Sequence, residues 1–235
     1  AYDNRSQCVG YGTCQPVCPS GAKYDATVHI EQAEAAGATV VDRAAVQRLE
    51  HDAESVTAAV YATPDGEYRQ EAEAFVVAAG GVETPRLLLL SESEQYPDGL
   101  ANSSGVVGRY FMDHLFAGTG GLLDEPTRQN HIGFLTSECH QFYDDADEEI
   151  GPFKLEFFNY DGPSPVELAL TGDDWGDTLL ERLCESYGSH IGMGALVEQL
   201  PREDSYIGLD RERTDSYGNP VPDVHWNVDD RALRT

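Results

Sequence analysis

Three cysteines lie close together near the start of the sequence, in the spacing Cys8-x5-Cys14-x3-Cys18, and Pro19 follows the third. Disulfide bonds cannot pair three thiols, so the cluster predicts a different role for them. Clustered thiolates on a glycine-rich loop are the ligands of iron–sulfur clusters, and a Cys-x3-Cys-Pro ending recurs in ferredoxin-type sites. Zinc is the main rival metal, bound by three thiolates and a fourth ligand from elsewhere. The other alternative is a loop with incidental thiols.

A second pattern that favours ligand binding is a strand, a glycine turn and a helix in direct succession. The apolar run Ala74–Ala79 is followed by Gly80 and Gly81, and then by Val82-Glu-Thr-Pro-Arg and the leucines Leu87–Leu90. Glycine lets a backbone approach a ligand closely, and a helix N-terminus presents unpaired N–H groups to anionic or polar atoms. Packing alone is the competing explanation, because any strand-to-helix turn can use glycine for close contact.

The other chemistry-bearing residues show no catalytic pattern. Cys139 and Cys184 are isolated and are interpreted as structural. No histidine belongs to a His-Glu-x-x-His pair or adjoins a nucleophile elbow, so the catalytic base is unassigned. Each histidine is interpreted as a satisfied, partly buried side chain, and they are His29, His51, His114, His131, His140, His190 and His225. Glycine pairs such as Gly10-x-Gly12 lack the third glycine of the Gly-x-Gly-x-x-Gly dinucleotide fingerprint.

Charge narrows the choice of partners. The chain has 235 residues and a formal net charge of −27, from 42 acidic and 15 basic residues. Phosphate binding needs clustered Lys and Arg, so nucleic acid is excluded as an ordinary partner. Lys23 and Lys154 are the only lysines, and the acids are spread along the whole chain. This composition favours a salt-adapted protein over a generic acidic domain, because molar salt screens the repulsion between carboxylates that still hold water and cations.

The sequence contains enough apolar residues to fold, but they are not grouped into a membrane span. Hydrophobic residues make up 40% of the chain, which is sufficient for a buried core. No run of about eighteen apolar residues exists, and no signal peptide is visible, so we expect a cytoplasmic protein. The sequence starts at Ala1 without Met and stops at Thr235 inside a charged stretch, which indicates a piece of a longer protein.

The cysteine cluster and the glycine turn must be positioned by secondary-structure elements. The sequence pattern of these elements changes near Leu100–Gly108, which is the candidate domain junction. Before the junction, periodicity and turn residues predict a helix and several strands. These are a helix over Ala22–Ala36 ended by Gly37, a short strand over Ala38–Val41, and strands within Val46–Val77 broken by the turn Thr63–Gly66.

After the junction, short alternating runs separated by polar turns predict an antiparallel sheet. The runs are Lys154–Phe158, Val166–Leu170, His190–Gln199 and Val224–Val228. One helix is predicted among them over Asp177–Tyr187, because Leu179, Leu180, Leu183 and Tyr187 share a helical face.

Several separated segments carry a family resemblance in the expected order. They are Gly37-Ala-x-Val40 followed by Val46, then Phe75–Ser91, Asn102–His114, Glu198–Pro201 and Asp215–Pro220. Together they cover most of the chain and resemble the glucose-methanol-choline (GMC) family of FAD-dependent oxidoreductases, with Ala78–Arg86 as the most specific segment. The cysteine loop, with Pro16 between the last two cysteines and Gly21-Ala22 after them, resembles that of the family's sugar and polyol dehydrogenases. The catalytic subunit of those enzymes holds a 3Fe-4S cluster beside the flavin.

The resemblance implies a fold of the class α/β plus α+β. Residues 1–100 would be the later part of a Rossmann-like FAD-binding domain together with the cysteine loop. Residues 101–235 would be part of a substrate-binding domain built on an antiparallel sheet. The family's N-terminal dinucleotide fingerprint and its C-terminal segment with a catalytic histidine are both missing, so we expect this chain alone to be an incomplete enzyme.

The resemblance also implies an activity and site residues. The activity is oxidation of a CH–OH group of a small alcohol or sugar, with hydride transfer to FAD and electrons relayed through a 3Fe-4S cluster to an acceptor subunit. By this resemblance Val46 meets the adenine side of FAD through its backbone, and Ala79, Gly80 and Gly81 line the dinucleotide. Cys8, Cys14 and Cys18 would hold the cluster.

Two other interpretations stay open at this point. In one, the chain is a metal-binding or electron-transfer module without alcohol chemistry. In the other, it is a salt-adapted structural domain whose flavin site has decayed. Both rank below the flavoenzyme, because three separated family segments occur in the right order.

Overall fold

The computed structural model describes residues 5–11, 14, 17–125, 135–144, 149–158, 165–186 and 189–235. The helices in these residues are α1 (Thr27–Ala35), α2 (Gly80–Leu90), α3 (Pro165–Thr171), α4 (Asp177–Ser186) and α5 (Asp230–Arg234). The strands are β1 (Ala45–His51), β2 (Val56–Thr63), β3 (Gly66–Glu71), β4 (Leu115–Leu122), β5 (Leu135–Cys139), β6 (Phe153–Phe158), β7 (His190–Val197), β8 (Tyr206–Thr214) and β9 (Pro220–His225). All their pairings are antiparallel, in three sheets with the orders β1-β2-β3, β4-β7-β6-β5 and β8-β9.

The chain divides into two compact units. Unit 1 comprises Ala1–Ala38, His114–Glu198 and Asp229–Thr235, and unit 2 comprises Thr39–Asp113 and Gln199–Val228. Unit 2 therefore draws on both sides of residue 100, and the division of the sequence into domains 1–100 and 101–235 stays a prediction. The mixture of helices with antiparallel sheets agrees with the α+β part of the expected fold class, and the Rossmann-like arrangement of residues 1–100 stays a prediction.

Unit 2 is built on the sheet β1-β2-β3, with α2 packed on β1 and the β8-β9 hairpin beside α2. The turn predicted at Thr63–Gly66 is confirmed, because these two residues pair at the end of the β2-β3 hairpin. Ser91, only 2% exposed, ties the end of α2 to the sheet. Its hydroxyl donates to the carbonyl of Leu87 at 2.7 Å and accepts the N–H of Leu49 at 2.9 Å. A buried polar group is thereby satisfied on both sides.

The apolar run before α2 does not form the predicted strand. Residues 72–79 are not assigned to a strand, and no strand among the described residues pairs with them. Phe75–Ala79 instead form one wall of a cavity, and Val76 is 91% exposed. A strand needs a hydrogen-bonded neighbour, which a pattern of apolar residues does not by itself supply.

Unit 1 is built on the sheet β4-β7-β6-β5, with α1, α3, α4 and α5 as its helices. The pairing of β4 with β7 brings glycines opposite each other, as in Gly118 with Gly194. The rings of Phe116 and Phe158 cover Gly194 so closely that a side chain at this position would collide with them. Close-packed rings of this kind need a glycine beneath them.

Four predicted elements of unit 1 are confirmed with changes of boundary. The predicted helix at Ala22–Ala36 starts later, at Thr27, where the Asp25 carboxylate accepts the N–H of Thr27 at 2.8 Å. It ends before Gly37, whose φ of +97° is the left-handed conformation expected of a helix stop. The runs at Lys154–Phe158 and His190–Gln199 correspond to β6 and β7, and the helix predicted at Asp177–Tyr187 is α4. Tyr187 itself lies outside the described residues.

Two further predicted strands are wrong. Ala38–Val41 is exposed and forms no strand, since none of the described strands lies beside it. Val166–Leu170 lies within α3. This helix begins at Pro165, and good helix formers follow the proline at residues 167–170. Leu168 is buried, whereas Val166 and Leu170 are exposed on the opposite face. The alternating pattern therefore came from a short helix. The predicted run Val224–Val228 overlaps only the end of β9.

None of the described helices is both long enough and apolar enough to cross a membrane.

Candidate functional site

Unit 2 contains a cavity of about 590 Å³ that five segments of the chain line. The segments are β1, β2, the run 75–79, α2 and the turn between β8 and β9. The lining residues are Ala45, Val46, Gln47, Leu49, Ala59, Phe75, Val76, Val77, Ala78, Ala79, Glu83, Arg86, Leu87, Leu90, Asp215, Tyr217 and Asn219. Most are apolar and a few polar groups converge, which is the usual character of a small-molecule or cofactor site.

A β-bulge in β1 shapes one wall of the cavity. Val46 pairs with Tyr61 and Arg48 pairs with Val60, so Gln47 is an extra residue without a partner in β2. A bulge bends its strand and changes the direction of a side chain, and bulges are frequent beside functional sites. Here the bulge buries the polar side chain of Gln47, which is 8% exposed, and leaves the neighbouring Val46 half-exposed.

The amide of Gln47 is satisfied at both ends. Its Nε2 donates to the carbonyl of Ala45 at 2.7 Å. Because that contact needs a donor, the Oε1 of Gln47 is the end that accepts a hydrogen bond from the Nδ2 of Asn219. This second contact joins β1 to the β8-β9 turn, 172 residues further along the chain.

Asp215 organises the β8-β9 turn. One of its carboxylate oxygens, Oδ1, accepts the backbone N–H of Tyr217 at 2.9 Å and that of Asn219 at 3.0 Å. The backbone N–H of Asp215 donates to the carbonyl of Asn219 at 2.9 Å. Gly218 takes a φ of +85°, a left-handed conformation that this tight turn requires and glycine adopts without strain. The turn therefore holds the side chain of Asn219 in place.

Arg86 joins α2 to the same turn. Its guanidinium donates to Asp215 at 2.6 Å, to Glu83 at 3.0 Å and, through Nε, to the carbonyl of Pro220 at 2.9 Å. The arginine side chain is only 12% exposed and the Asp215 side chain 25% exposed. A guanidinium in this position is stable because most of its donors have acceptors.

The charges of this pair depend on each other. Burial opposes the charged form of Asp215, but the hydrogen bond from Arg86 and the two backbone N–H groups outweigh it, so the pKa of the carboxyl lies below its ordinary value. Burial also disfavours the charged guanidinium of Arg86, but the carboxylates of Asp215 and Glu83 outweigh it and raise the pKa of Arg86. Both groups are therefore ionised at neutral pH.

The glycine turn lies at the start of α2. Gly80 has a φ of +81°, which a residue with a side chain adopts only with strain. The N–H of Ala79 donates to the hydroxyl of Thr84 at 3.1 Å, and no side chain caps the helix at Ala79. The first backbone N–H groups of α2, an element entirely within the described residues, thus have no side-chain acceptor, and such groups bind polar or anionic atoms of a ligand.

The structure brings together some of the sequence-predicted site residues. Val46 and Ala79 both line the cavity, whereas Gly80 and Gly81 follow Ala79 at the helix start and are not among the lining residues. The contacts of these four residues with FAD stay predictions. None of the described histidines lines the cavity, and His131 lies outside the described residues.

The polar residues of the cavity were not predicted from the sequence as site residues, and they are Gln47, Glu83, Arg86, Asp215, Tyr217 and Asn219. Arg86 and the segment Asp215–Pro220 belong to the segments that carry the family resemblance, and Asp-x-x-Gly is a recognisable turn signal. Nothing local in the sequence indicates that this turn returns to β1.

The cysteine loop belongs to unit 1. Cys8 is exposed, and Cys14 and Cys18 are half-buried. A hydrogen bond with the Ser20 hydroxyl, at 3.5 Å, and others with backbone groups lower the pKa of the Cys18 thiol to about 7. A thiol of this kind is readily ionised, as a metal ligand must be. However, among the described residues no three His, Cys, Asp or Glu side chains are grouped to hold a metal ion. The positions of the cysteines therefore do not form a ligand set, and their role as ligands stays a prediction.

Comparison with known proteins identifies the protein family that this chain is similar to. Residues 1–116 match the family model of the GMC oxidoreductases. The chain is 34% identical over 231 residues to the fructose dehydrogenase large subunit of Gluconobacter japonicus, covering 97% of this chain and 42% of that protein. It is 30% identical over 218 residues to 2-methyl-1,2-propanediol dehydrogenase of Mycolicibacterium austroafricanum, covering 88% and 40% respectively.

A third relative is paromamine 6'-oxidase of Streptomyces fradiae, 31% identical over 249 residues, which cover 100% of this chain and 42% of that protein. All three relatives are oxidoreductases by name. Together with the family match, they place the chain in the GMC oxidoreductase family. The chain spans about two fifths of the length of these relatives.

Proposed function

We propose that this chain is part of an FAD-dependent dehydrogenase that oxidises a CH–OH group of a small alcohol or sugar. Membership of the GMC family implies FAD, and two of the relatives are named as dehydrogenases of a sugar and of a diol. The observation that carries the proposal is the cavity in unit 2, where the predicted cofactor contacts Val46 and Ala79 both line one mostly apolar site.

The residues of the cavity fit the adenosine part of FAD. The apolar walls formed by β1 and the run 75–79 suit a flat aromatic base, and the bulge leaves Val46 accessible. The uncapped start of α2 offers N–H groups to the polar or anionic atoms of a dinucleotide. When bound, FAD supplies the hydride acceptor. The role of these residues is to bind and orient it.

We further propose that Cys8, Cys14 and Cys18 hold a 3Fe-4S cluster that passes electrons to a separate acceptor subunit. Support comes from the cysteine spacing and from the low pKa of Cys18. The relative from Gluconobacter japonicus is named as a large subunit, which favours a multisubunit protein. The relative from Streptomyces fradiae is named as an oxidase, so oxygen is the alternative electron acceptor.

The test is cofactor analysis of the full-length protein, purified without air in high salt. We expect one FAD and three irons with acid-labile sulfide per polypeptide, and reduction of the flavin by a panel of sugars and polyols. Cys18→Ser should remove iron and leave FAD in place, whereas Cys184→Ser, which changes an isolated cysteine on α4, serves as the matched control and should retain both.

Each contrary result has a distinct meaning. FAD without iron contradicts the cluster and favours oxygen or another direct acceptor. Iron without FAD contradicts the dehydrogenase and favours an electron-transfer module. If neither cofactor is present, the proposed function is wrong.

A further inference from the structure

A continuous series of polar contacts runs across the cavity of unit 2. It starts at Arg86 on α2, passes through Asp215 and Asn219 in the β8-β9 turn, and ends at Gln47 in the bulge of β1. The last contact in the series joins Gln47 to the carbonyl of Ala45 at 2.7 Å. We refer to these four residues, Arg86, Asp215, Asn219 and Gln47, as the Arg86–Gln47 network.

The two ends of the network are largely buried, and Asp215 and Asn219 between them are partly exposed. Gln47 is 8% exposed, and the side chain of Arg86 is 12% exposed. A buried amide or guanidinium without a partner carries a desolvation cost that water does not offset. If Asn219 loses its donor, Gln47 is left with an unpaired oxygen. The bulge in β1 is then no longer held in the conformation that buries this side chain.

The two ends of the network lie next to the two segments that the proposed function assigns to the cofactor. Gln47 follows Val46 directly, and its amide holds the carbonyl of Ala45, the residue before Val46. Arg86 lies on the helix that starts at Gly80, and it is fixed to the same turn as Asn219. The β8-β9 turn therefore links the bulge beside Val46 to α2, in addition to the direct packing of α2 on β1.

We propose that Gln47 and Asn219, anchored by Arg86 and Asp215, are positioning residues that hold the backbone of Val46 and the start of α2 at the spacing FAD requires. This inference rests on the proposed function of the cavity. The network contributes to FAD affinity through preorganisation, since a cofactor that must itself order the bulge binds more weakly. Its effect is directed at the adenosine half of FAD, which is the half that ADP reproduces.

The test uses Gln47→Leu and Asn219→Asp in the full-length protein. Gln47→Leu removes both contacts of the amide at nearly constant volume. Asn219→Asp replaces the donor with an acceptor that faces the Oε1 of Gln47. The matched control is Arg211→Ala, because Arg211 on β8 pairs with Glu92, just after α2, at 2.9 Å. That pair connects the same two regions but is 64% exposed at Arg211 and does not line the cavity.

Dissociation constants for FAD and for ADP are measured by calorimetry on the apo form, together with its melting temperature. In both variants we expect the two constants to rise by the same factor of about 10, the effect of one well-buried hydrogen bond. Both variants should stay folded, with a melting temperature lowered by a few degrees because one buried contact is lost. Arg211→Ala should change both constants by less than about twofold.

Three results would overturn the inference. The first is FAD affinity within twofold of the wild type in both variants. The second is failure of both variants to fold, because the network would then maintain the fold and not the cofactor site. If only Gln47→Leu fails to fold, the dissociation constants of Asn219→Asp for FAD and ADP decide whether the inference holds. The third is a wild-type protein that binds neither FAD nor ADP, which removes the proposed function itself and is thereby distinguished from failure of the network alone.

Discussion

At the scale of single residues, the ion pair of Arg86 with Asp215 should stabilise unit 2 more than the exposed pair of Arg211 with Glu92 does. Asp215→Ala leaves a guanidinium that is 12% exposed without its nearest carboxylate and also loosens the β8-β9 turn. We expect a loss of about 2–3 kcal/mol in the free energy of unfolding. Urea unfolding followed by circular dichroism in high salt measures it. Glu92→Ala, which breaks the exposed pair with Arg211, should cost less than about 1 kcal/mol. Equal losses in the two variants would contradict the expectation.

The same carboxylate makes stability depend on pH in the acid range. The pKa of Asp215 is lower in the folded protein than its ordinary value of 3.8. A group with a lowered pKa stabilises the fold fully above its unfolded pKa, and that contribution is lost as the pH falls towards the folded pKa. The difference in unfolding free energy between the wild type and Asp215→Asn should therefore be constant above about pH 5 and shrink below about pH 4. Urea unfolding at a series of pH values tests this, and a difference that grows in acid would refute it.

At the scale of elements, Gly108 fixes the start of β8 against the segment that precedes β4. Its carbonyl accepts the N–H of Ile207 at 2.7 Å, and its φ is +80°. A Cβ at this position would overlap the carbonyl oxygen of Ile207. We expect Gly108→Ala to destabilise the protein by about 3 kcal/mol or more, from left-handed strain and steric overlap together.

Gly105→Ala is the control for this substitution. Gly105 also has a positive φ, of +71°, but a Cβ there would meet no atom within 4 Å. The cost should therefore be strain alone, about 1–2 kcal/mol. Thermal unfolding of the two variants separates the contributions. A Gly105→Ala variant as unstable as Gly108→Ala would show that steric overlap is not the cause.

The elements also show what a single sequence can predict. The β2-β3 hairpin, α2 and α4 follow from turn residues and helical periodicity, which are local signals. The run Val166–Leu170 was predicted as a strand and is a helix, because three alternating apolar residues fit both a strand and one and a half turns of helix. The run Ala74–Ala79 has the composition of a buried strand, but strand formation depends on a neighbour that composition does not specify.

Only part of the candidate site could be predicted, because some of its residues have local sequence signals and others depend on long-range contacts. Val46 and Ala79 could be named because they belong to segments with a family resemblance, and both line the cavity. Gln47 and Asn219 could not, because their contact joins residues separated by 172 positions and depends on a bulge that leaves no mark in the sequence. Long-range polar contacts become visible only when the pairing of strands is known.

For the whole molecule, the net charge of −27 predicts that stability depends strongly on salt. At low ionic strength the carboxylates repel one another across the surface, and added salt screens this repulsion. We expect the melting temperature to rise by about 5 °C between roughly 0.1 M and 2 M KCl, or about 2 kcal/mol for a chain of this size. The rise should be smaller near pH 4.3, the isoelectric point, where many carboxylates are protonated. An unchanged melting temperature would contradict the salt-adapted interpretation.

The partly exposed run Phe75–Ala79 makes the solubility of the protein depend on salt as well. It is apolar and uncharged, its Val76 is 91% exposed, and no described strand pairs with its backbone. Runs of this kind join copies of a chain by intermolecular strand pairing. At low salt the net charge keeps the copies apart, but the same salt that strengthens the fold also removes that repulsion. Thermal stability and colloidal solubility should therefore respond to salt in opposite directions, and the protein should be handled best at an intermediate concentration.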